Sequence, residues 1–395
     1  MTAAGAAAVP AAPHAQVCWA LLFGNFVIGS GIMVVPGTLN DLAQSLQISI
    51  ALAGQLFAVG AAAVCFGAPL LAGWVSGFDR KKLLAFSLLG YAIGHALCAA
   101  MPSYAALLPL RAVTMLGAAV FTPQAGAAIG FMSPPEHRGR AIAFIFVGWS
   151  LASVLSLPLS NWIGESFGWR YAFSVIAALS LVAAAWVHAA VPDGVSPAAV
   201  SFAAWKHAFA TPSLMAIVAV TFLFGAGQFT LFAYFTPYFR DVLHASTAQS
   251  SLLLIWFGIF GVIGNLALAR FIDRLGAHVA ATAMVCLIAV SFALWPLASS
   301  VIAIGVAMAP WAFGCFSSNS AQQARLSAAA PALASALLAL NTSAIYLGQA
   351  VGASSGGWLV AHQGYGALSR AGLVWLLACI AVSVWATRAA KRLAP

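Results

Sequence analysis

Arg111 is the one Asp, Glu, Lys or Arg that falls well inside a long apolar run of this 395-residue chain. It lies about eight residues, or ~12 Å of helix, from the end of its run. A guanidinium in apolar surroundings is costly, and such a residue by default marks an ion or proton path with a partner nearby. Asp41, at the end of the first apolar run, is the nearest candidate carboxylate. The competing reading is a guanidinium that snorkels or ties to backbone carbonyls. His95 and His188 also lie within runs, and imidazole can relay protons near neutral pH. For both, a packed, hydrogen-bonded histidine is the favoured reading. A set of amides and aromatics, Asn25, Gln124, Gln228, Phe229, Trp311, Asn319, Asn341 and Tyr346, offers hydrogen bonds and stacking surfaces to a small polar or amphipathic molecule. Any one of them serves equally well as an interhelical contact.

The elements that position these residues follow from composition. The chain is 63% hydrophobic and 6% charged, with a mean hydropathy of +1.00. No single soluble core hides that much apolar surface, so the chain belongs in a lipid bilayer. The net charge of +9 falls in short loops, as membrane orientation requires, and nucleic-acid binding is set aside. Six cysteines without paired or histidine-adjacent spacing read as small core residues, so no metal site and no cofactor are expected. Residues 1–16 lack the basic start of a secretory signal and read as a disordered tail.

Twelve apolar runs are long enough to cross the hydrocarbon: 17–39, 50–75, 83–101, 103–132, 141–163, 169–190, 213–238, 248–269, 278–298, 300–323, 334–360 and 367–387. Helices are the expected spanning element, because lipid leaves the backbone no other partner and the alternation of a barrel is absent. With a cytoplasmic N-terminus, twelve of the sixteen basic residues collect on one side (Arg80, Lys81, Lys82, Arg138, Arg140, Lys206, Arg270, Arg274, Arg325, Arg388, Lys391, Arg392). Three, Arg170, Arg240 and Arg370, fall on the other. That split predicts both termini in the cytoplasm. The longest connection, 191–212, reads as a linker between bundles 17–190 and 213–387, with a short amphipathic helix or an irregular tether over 200–209. Residues 388–395 read as a second cytoplasmic tail.

Internal repetition supports two halves. The charge knot after Gly73, with Asp79, Arg80, Lys81 and Lys82, recurs as Asp273 and Arg274, 194 residues later. Ser156, Ser160 and Trp162 align with Gly352, Gly356 and Trp358 at an offset of 196, and Gly168 aligns with Gly364. Small residues four apart let helices approach closely, so Ser156, Pro158, Ser160, Gly352 and Gly356 are expected to sit in close contacts.

These features together resemble the major facilitator superfamily. The carriers of the resemblance are the glycine-and-charge loop between the second and third spans, Arg111 in Leu-Arg-Ala-Val-Thr-Met-Leu-Gly, Arg138-Gly-Arg-Ala, and Gly168-Trp-Arg-Tyr-Ala-Phe. Within that family the chain is most similar to the twelve-span drug, sugar and nucleoside exporters. The sequence departs from the pattern where Gly77 holds the usual aspartate position and Asp79 follows two residues later. It departs again in the fifth span, where Ser156-Leu-Pro-Leu-Ser160 replaces a glycine-rich run.

The resemblance implies an all-α membrane protein, twelve transmembrane helices in two pseudo-symmetric six-helix bundles. It also implies a central cavity lined by the first, fourth, seventh, tenth and eleventh spans, where the amides and aromatics above fall. Gly73, Asp79, Arg80, Asp273 and Arg274 become a conformational gate, or at the least topology anchors. Arg111, with Asp41, becomes a proton-coupling candidate. No carboxylate lies in mid-span, which argues for a neutral or anionic substrate. The expected function is proton-coupled export from the bacterial inner membrane by a monomer whose partners are a small molecule, protons and the lipid bilayer. Uptake by the same fold, and a receptor or scaffold that does not transport, remain alternatives. No catalytic site is expected. Gly352-Ala-Ser-Ser-Gly356 matches a hydrolase elbow and Asn341-Thr-Ser a glycosylation site, but both lie inside an apolar span.

Overall fold

The computed structural model describes residues 15–75, 77–134, 138–196, 202–330 and 333–393. The expected N-terminal tail lies outside these apart from its last two residues. Twelve helices among the described residues are long and apolar enough to cross a membrane. The first half contains α1 (Ala15–Gly37), α2 (Leu39–Ser45), α3 (Ile50–Val75), α4 (Arg80–Ala100), α5 (Tyr104–Met132), α6 (Arg138–Phe167) and α7 (Trp169–Ala190). After α8 (Phe202–Ala210) come α9 (Pro212–Phe232), α10 (Phe235–Asp241), α11 (Thr247–Leu275), α12 (Ala277–Leu294), α13 (Val301–Ala329), α14 (Ala334–Gln363) and α15 (Gly366–Leu393).

Local chemistry sets several of these limits. Asp79 caps α4 by accepting from the Lys82 amide, and Ser246 with Gln249 closes a reciprocal capping box at α11. Gly168 and Gly364, equivalent at the 196-residue offset, both take positive φ, 98° and 75°, where a side chain would be strained. The chain departs from the expected spans in three places. The first and seventh spans are followed by the short helices α2 and α10. α13 runs six residues beyond its expected end and carries Arg325 into the protein. α15 continues through most of the expected C-terminal tail. Charged and polar ends extend a helix past its apolar run, which hydropathy alone does not register.

Within the first half α1 packs on α6 and α7, and α4 on α5 and α7; in the second, α9 packs on α14 and α15, and α12 on α13 and α15. The halves meet through α3 against α14 and α6 against α11. Lipid tails are as apolar as the helices, so association rests on close packing and hydrogen bonds. The packing repeats with the sequence offset. Ser156 donates to Ser30 across α6 and α1 at 2.6 Å, and the equivalent Gly352 lies against the Ala226 carbonyl across α14 and α9. Gly117 sits over the Ser87 carbonyl and Gly314 over that of Met284, a Cβ on either coming within 2.9 and 2.6 Å of the oxygen.

The tightest approach in the second half is Gly264 on α11, where a Cβ would fall 1.9 Å from the Phe313 carbonyl oxygen of α13. Gly264→Ala should lower the thermal midpoint in detergent by several degrees, from an overpacking cost of about 1–3 kcal/mol. Gly90→Ala, which meets no atom within 4 Å, should leave the midpoint unchanged or raise it.

Candidate functional site

Arg111 projects from α5 into the interior of the first half, where it is 1% exposed. Its Nη2 donates to the Gly31 carbonyl of α1 at 2.7 Å, and its Nη1 lies 3.1 Å from His95 Nε2 on α4. The guanidinium also stands 5.7 Å from the Phe173 ring of α7, so one side chain bridges four helices. His95 Nδ1 is 2.9 Å from the Tyr91 carbonyl, and Tyr91 Oη donates to the Ile28 carbonyl at 3.0 Å. Gly31 is small by necessity, since a Cβ there would meet Tyr91 Oη at 2.4 Å. Hydrogen bonds to a charged donor contribute about 1.5–3 kcal/mol each, so the tie to α1 is substantial.

The expected pairing of Arg111 with Asp41 is not made. Asp41 instead accepts from the Trp169 backbone amide at the first turn of α7. An unpaired N–H at a helix N-terminus attracts a carboxylate through the helix dipole, and Asp41 on α2 is within its reach. Among the described residues the ion pairs are Lys81–Asp193 and Arg240–Asp241. Arg111 is held by a carbonyl, an imidazole and an aromatic face, with its Nε left without a hydrogen-bond partner.

Five of the eight amides and aromatics are engaged within their own half. Asn25 donates to the Ile145 carbonyl at 3.2 Å. At the equivalent place, Thr221 donates to Asn341 at 2.6 Å, and Asn341 donates to Asn319 at 3.1 Å. Gln228 Oε1 accepts from Trp311 Nε1 at 3.3 Å and from the Cys315 thiol at 3.2 Å. Phe229 stacks on Phe57 of the other half, with centroids 5.2 Å apart. Tyr346 is buried and Gln124 half-buried. Ser318 and Gln322 were passed over in the sequence, yet each has a buried oxygen without a partner in a small crevice with Thr221, Phe224 and Val285.

The charge knot grips the first half itself. The Gly194 amide donates to Asp79 Oδ2, the Arg80 amide donates to the Val195 carbonyl at 2.9 Å, and Lys81 Nζ pairs with Asp193 at 3.1 Å. Arg80 Nη1 reaches back to the Phe78 and Val75 carbonyls at 2.7 and 3.1 Å, capping the end of α3. Slight burial pushes the Asp79 carboxyl up, but hydrogen bonds from the Gly194, Lys82 and Lys81 amides outweigh it and hold the group below the ordinary carboxylate range. Its stabilising contribution is therefore present above the unfolded value and is lost as pH falls through the lowered folded value. Near neutrality Asp79 stays ionised. Gly73 lies inside α3, the Asp273 side chain is outside the described set, and Arg274 is exposed near the end of α11. The second knot thus ends a helix where the first begins one.

Contacts between the halves gather at the end opposite this loop. Thr236 donates to the Pro36 carbonyl at 2.9 Å, Asn161 to Ser251 at 3.0 Å, and Ser354 to Gln55 at 3.1 Å. Gly54 and Gly357 leave room for the Tyr234 hydroxyl, which donates to the Ala353 carbonyl at 2.7 Å. Among the described residues, no side-chain hydrogen bond crosses between the halves at the Asp79 end. Gln55, Asn161, Thr236, Ser251 and Ser354 had no signal in the sequence beyond being polar near the ends of spans.

Comparison with known proteins fits this architecture. Residues 21–353 match the family described as Major Facilitator Superfamily. The inner membrane transport protein YdhP of Escherichia coli O157:H7 is 28% identical over 350 residues, covering 88% of this chain and 89% of that protein. The uncharacterized MFS-type transporter YbcL of Bacillus subtilis (strain 168) is 25% identical over 361 residues, 91% of this chain and 93% of that one. Among solved structures, a bacterial homolog to the human lysosomal transporter Spinster, in an inward-facing and occupied conformation, superposes with a TM-score of 0.74 at 17% identity, covering 97% of this chain and 98% of that one. The D-xylose-proton symporter superposes at 0.71 with 18% identity, covering 91% and 96%. With a match across most of its length and twelve spanning helices in two repeated halves, this chain belongs to the Major Facilitator Superfamily.

Proposed function

We propose that the protein exports a small neutral or anionic molecule, of drug, sugar or nucleoside type, from the bacterial cytoplasm in exchange for protons. The observation that carries this reading is the one-sided closure of the halves, with Pro36–Thr236, Gln55–Ser354 and Asn161–Ser251 at one end. Two rigid bundles sealed at one end form one state of an alternating-access cycle, and its mirror state opens by rocking about the midplane. With the arginine- and lysine-rich ends of the spans assigned to the cytoplasm, the end that carries these three contacts is the outer one, and this is the state that loads a cytoplasmic substrate.

The residues support that reading in chemical terms. Among the described residues the spans hold two deeply placed arginines, Arg111 and Arg325, neither in an ion pair with a carboxylate, so the interior favours neutral or negatively charged cargo over cations. Arg111 joins α1 to α4 and α5, and a change at this junction moves a helix that carries part of the outer seal through Pro36. The Asp79 loop holds the start of the inter-bundle connection, while Ala208 of α8 packs beneath the second half with Leu214 and Leu326. The connection is thus anchored to both bundles, and its Asp79 anchor is the gate candidate.

Inverted membrane vesicles carrying the protein, with an imposed pH gradient and radiolabelled chloramphenicol, arabinose and uridine as probes, test the direction. Proton-driven accumulation of at least one probe is expected; flow along the proton gradient would instead make the protein a symporter. Arg111→Ala should reduce pH-driven flux at least tenfold while leaving the folded protein in the membrane; undiminished coupled flux would remove Arg111 from the mechanism. Asp79→Asn weakens charge-assisted bonds of about 1–2 kcal/mol. Amide hydrogen exchange over residues 192–196 should then quicken about tenfold, and transport rate should change with it.

A further inference from the structure

We infer that the crevice between α9, α12 and α13 is a site for one hydroxyl oxygen, which accepts a hydrogen from Ser318 and donates one to Gln322. The two residues are four apart on α13 and so share a face, and each is 3% exposed. Neighbouring serines of that helix satisfy themselves. Ser317 donates to the Phe313 carbonyl at 2.6 Å and Ser320 to that of Phe316 at 3.3 Å, the bond back along the helix that a serine in mid-helix commonly makes. Ser318 makes no such bond; it lines the crevice with its Oγ unpartnered. Gln322 is fixed by its other end. Its Nε2 donates to the Ile217 carbonyl of α9 at 2.5 Å, and because a carbonyl only accepts, the amide cannot be turned round. Oε1 is the atom left over, an acceptor without a donor.

Two unpaired oxygens buried on one face are costly, and a single hydroxyl group relieves both. Its oxygen takes the Ser318 hydrogen and its own hydrogen goes to Gln322, a pairing that a carbonyl ligand, with no hydrogen to give, cannot complete. The space, walled by Val220, Phe224 and Val285, has room for about one water-sized group. A cation is disfavoured there, because no carboxylate lines the crevice among the described residues and the buried Arg325 follows one turn along α13. Water is one source of the hydroxyl and the cargo is the other. Thr221 and Asn319 also line the crevice, and both bond Asn341, so the site adjoins the amides expected to face the cargo. Asn319 is half-buried and leaves that side unsealed. The cargo source rests on the export reading; the site itself does not.

Electron cryomicroscopy of the full-length protein in lipid nanodiscs, at a resolution that shows ordered water, tests this without any flux. With no probe added, one oxygen should stand about 2.7–3.0 Å from both Gln322 Oε1 and Ser318 Oγ. With saturating arabinose, a sugar oxygen at the same place identifies cargo as the source, and an unchanged isolated oxygen identifies water. An empty crevice in both maps, or a peak at about 2.4 Å from the oxygens as a metal cation requires, would overturn the site. Ser318→Ala gives an independent reading through the thermal midpoint in detergent. If the hydroxyl is bonded, the midpoint should fall by a few degrees; a midpoint that holds or rises means that the substitution removed an unpaired group, and would overturn the Ser318 bond. Absence of proton-driven flux in a protein that holds the oxygen would remove export and leave the site standing.

Discussion

Backbone-to-backbone approach of α1 with α6, and of α9 with α14, is the contact on which the rest of this structure depends. Lipid supplies no hydrophobic force between helices, so the bundles cohere by dispersion over surfaces brought close enough to touch. Ser30 on Ser156 and Gly352 on the Ala226 carbonyl are the same solution written in two chemistries, one with a hydroxyl pair and one with no side chain at all. Rigid halves follow from it. Between the halves, a few polar contacts gather at one end.

Against that stiffness, the interior of the first half carries a charge in mid-span that meets no carboxylate among the described residues. Arg111 draws together α1, α4, α5 and α7 without a carboxylate, and the second half has no ionisable counterpart at the equivalent Ala307. Its own buried arginine, Arg325, lies near the opposite end of the span and bonds Ser383 and Thr387 of α15. The two bundles are alike in packing and unlike in electrostatics. Repetition provides the mechanical frame, and the asymmetry lies in where each half buries its arginine.

The twelve spans, the offset of 196 and the small-residue positions in the sixth and fourteenth helices were legible in the sequence, because hydropathy and glycine spacing report directly on burial and close approach. The partner of Arg111 was not. Asp41 was the nearest carboxylate by span position, but whether two side chains meet depends on helix rotation, and an open helix N-terminus at Trp169 claimed it. His95 looked peripheral because its helix is. Within that helix its rotation turns it inward, onto Arg111. Asp79 was visible as charge in a place that needs water, while its bond from the Gly194 amide, like those of Lys81 to Asp193 and of the Arg80 amide to Val195, depends on a loop conformation that composition does not encode. Four of the five amides assigned to a central cavity are occupied by partners within their own half, since a buried amide takes the first good partner within reach.

The central claim is that two rigid halves rock about a shared midplane, closing one end as the other opens. Electron–electron distance measurements in lipid bilayers test it most directly, with one label pair at Trp74 and Leu266 on the Asp79 end of α3 and α11, and another at Ser45 and Val242 beside the outer seal. Between pH 8 and pH 5.5 the two distances should change in opposite senses, the first shortening as the second lengthens. Distances that stay fixed, or that lengthen together, would contradict alternating access in this protein.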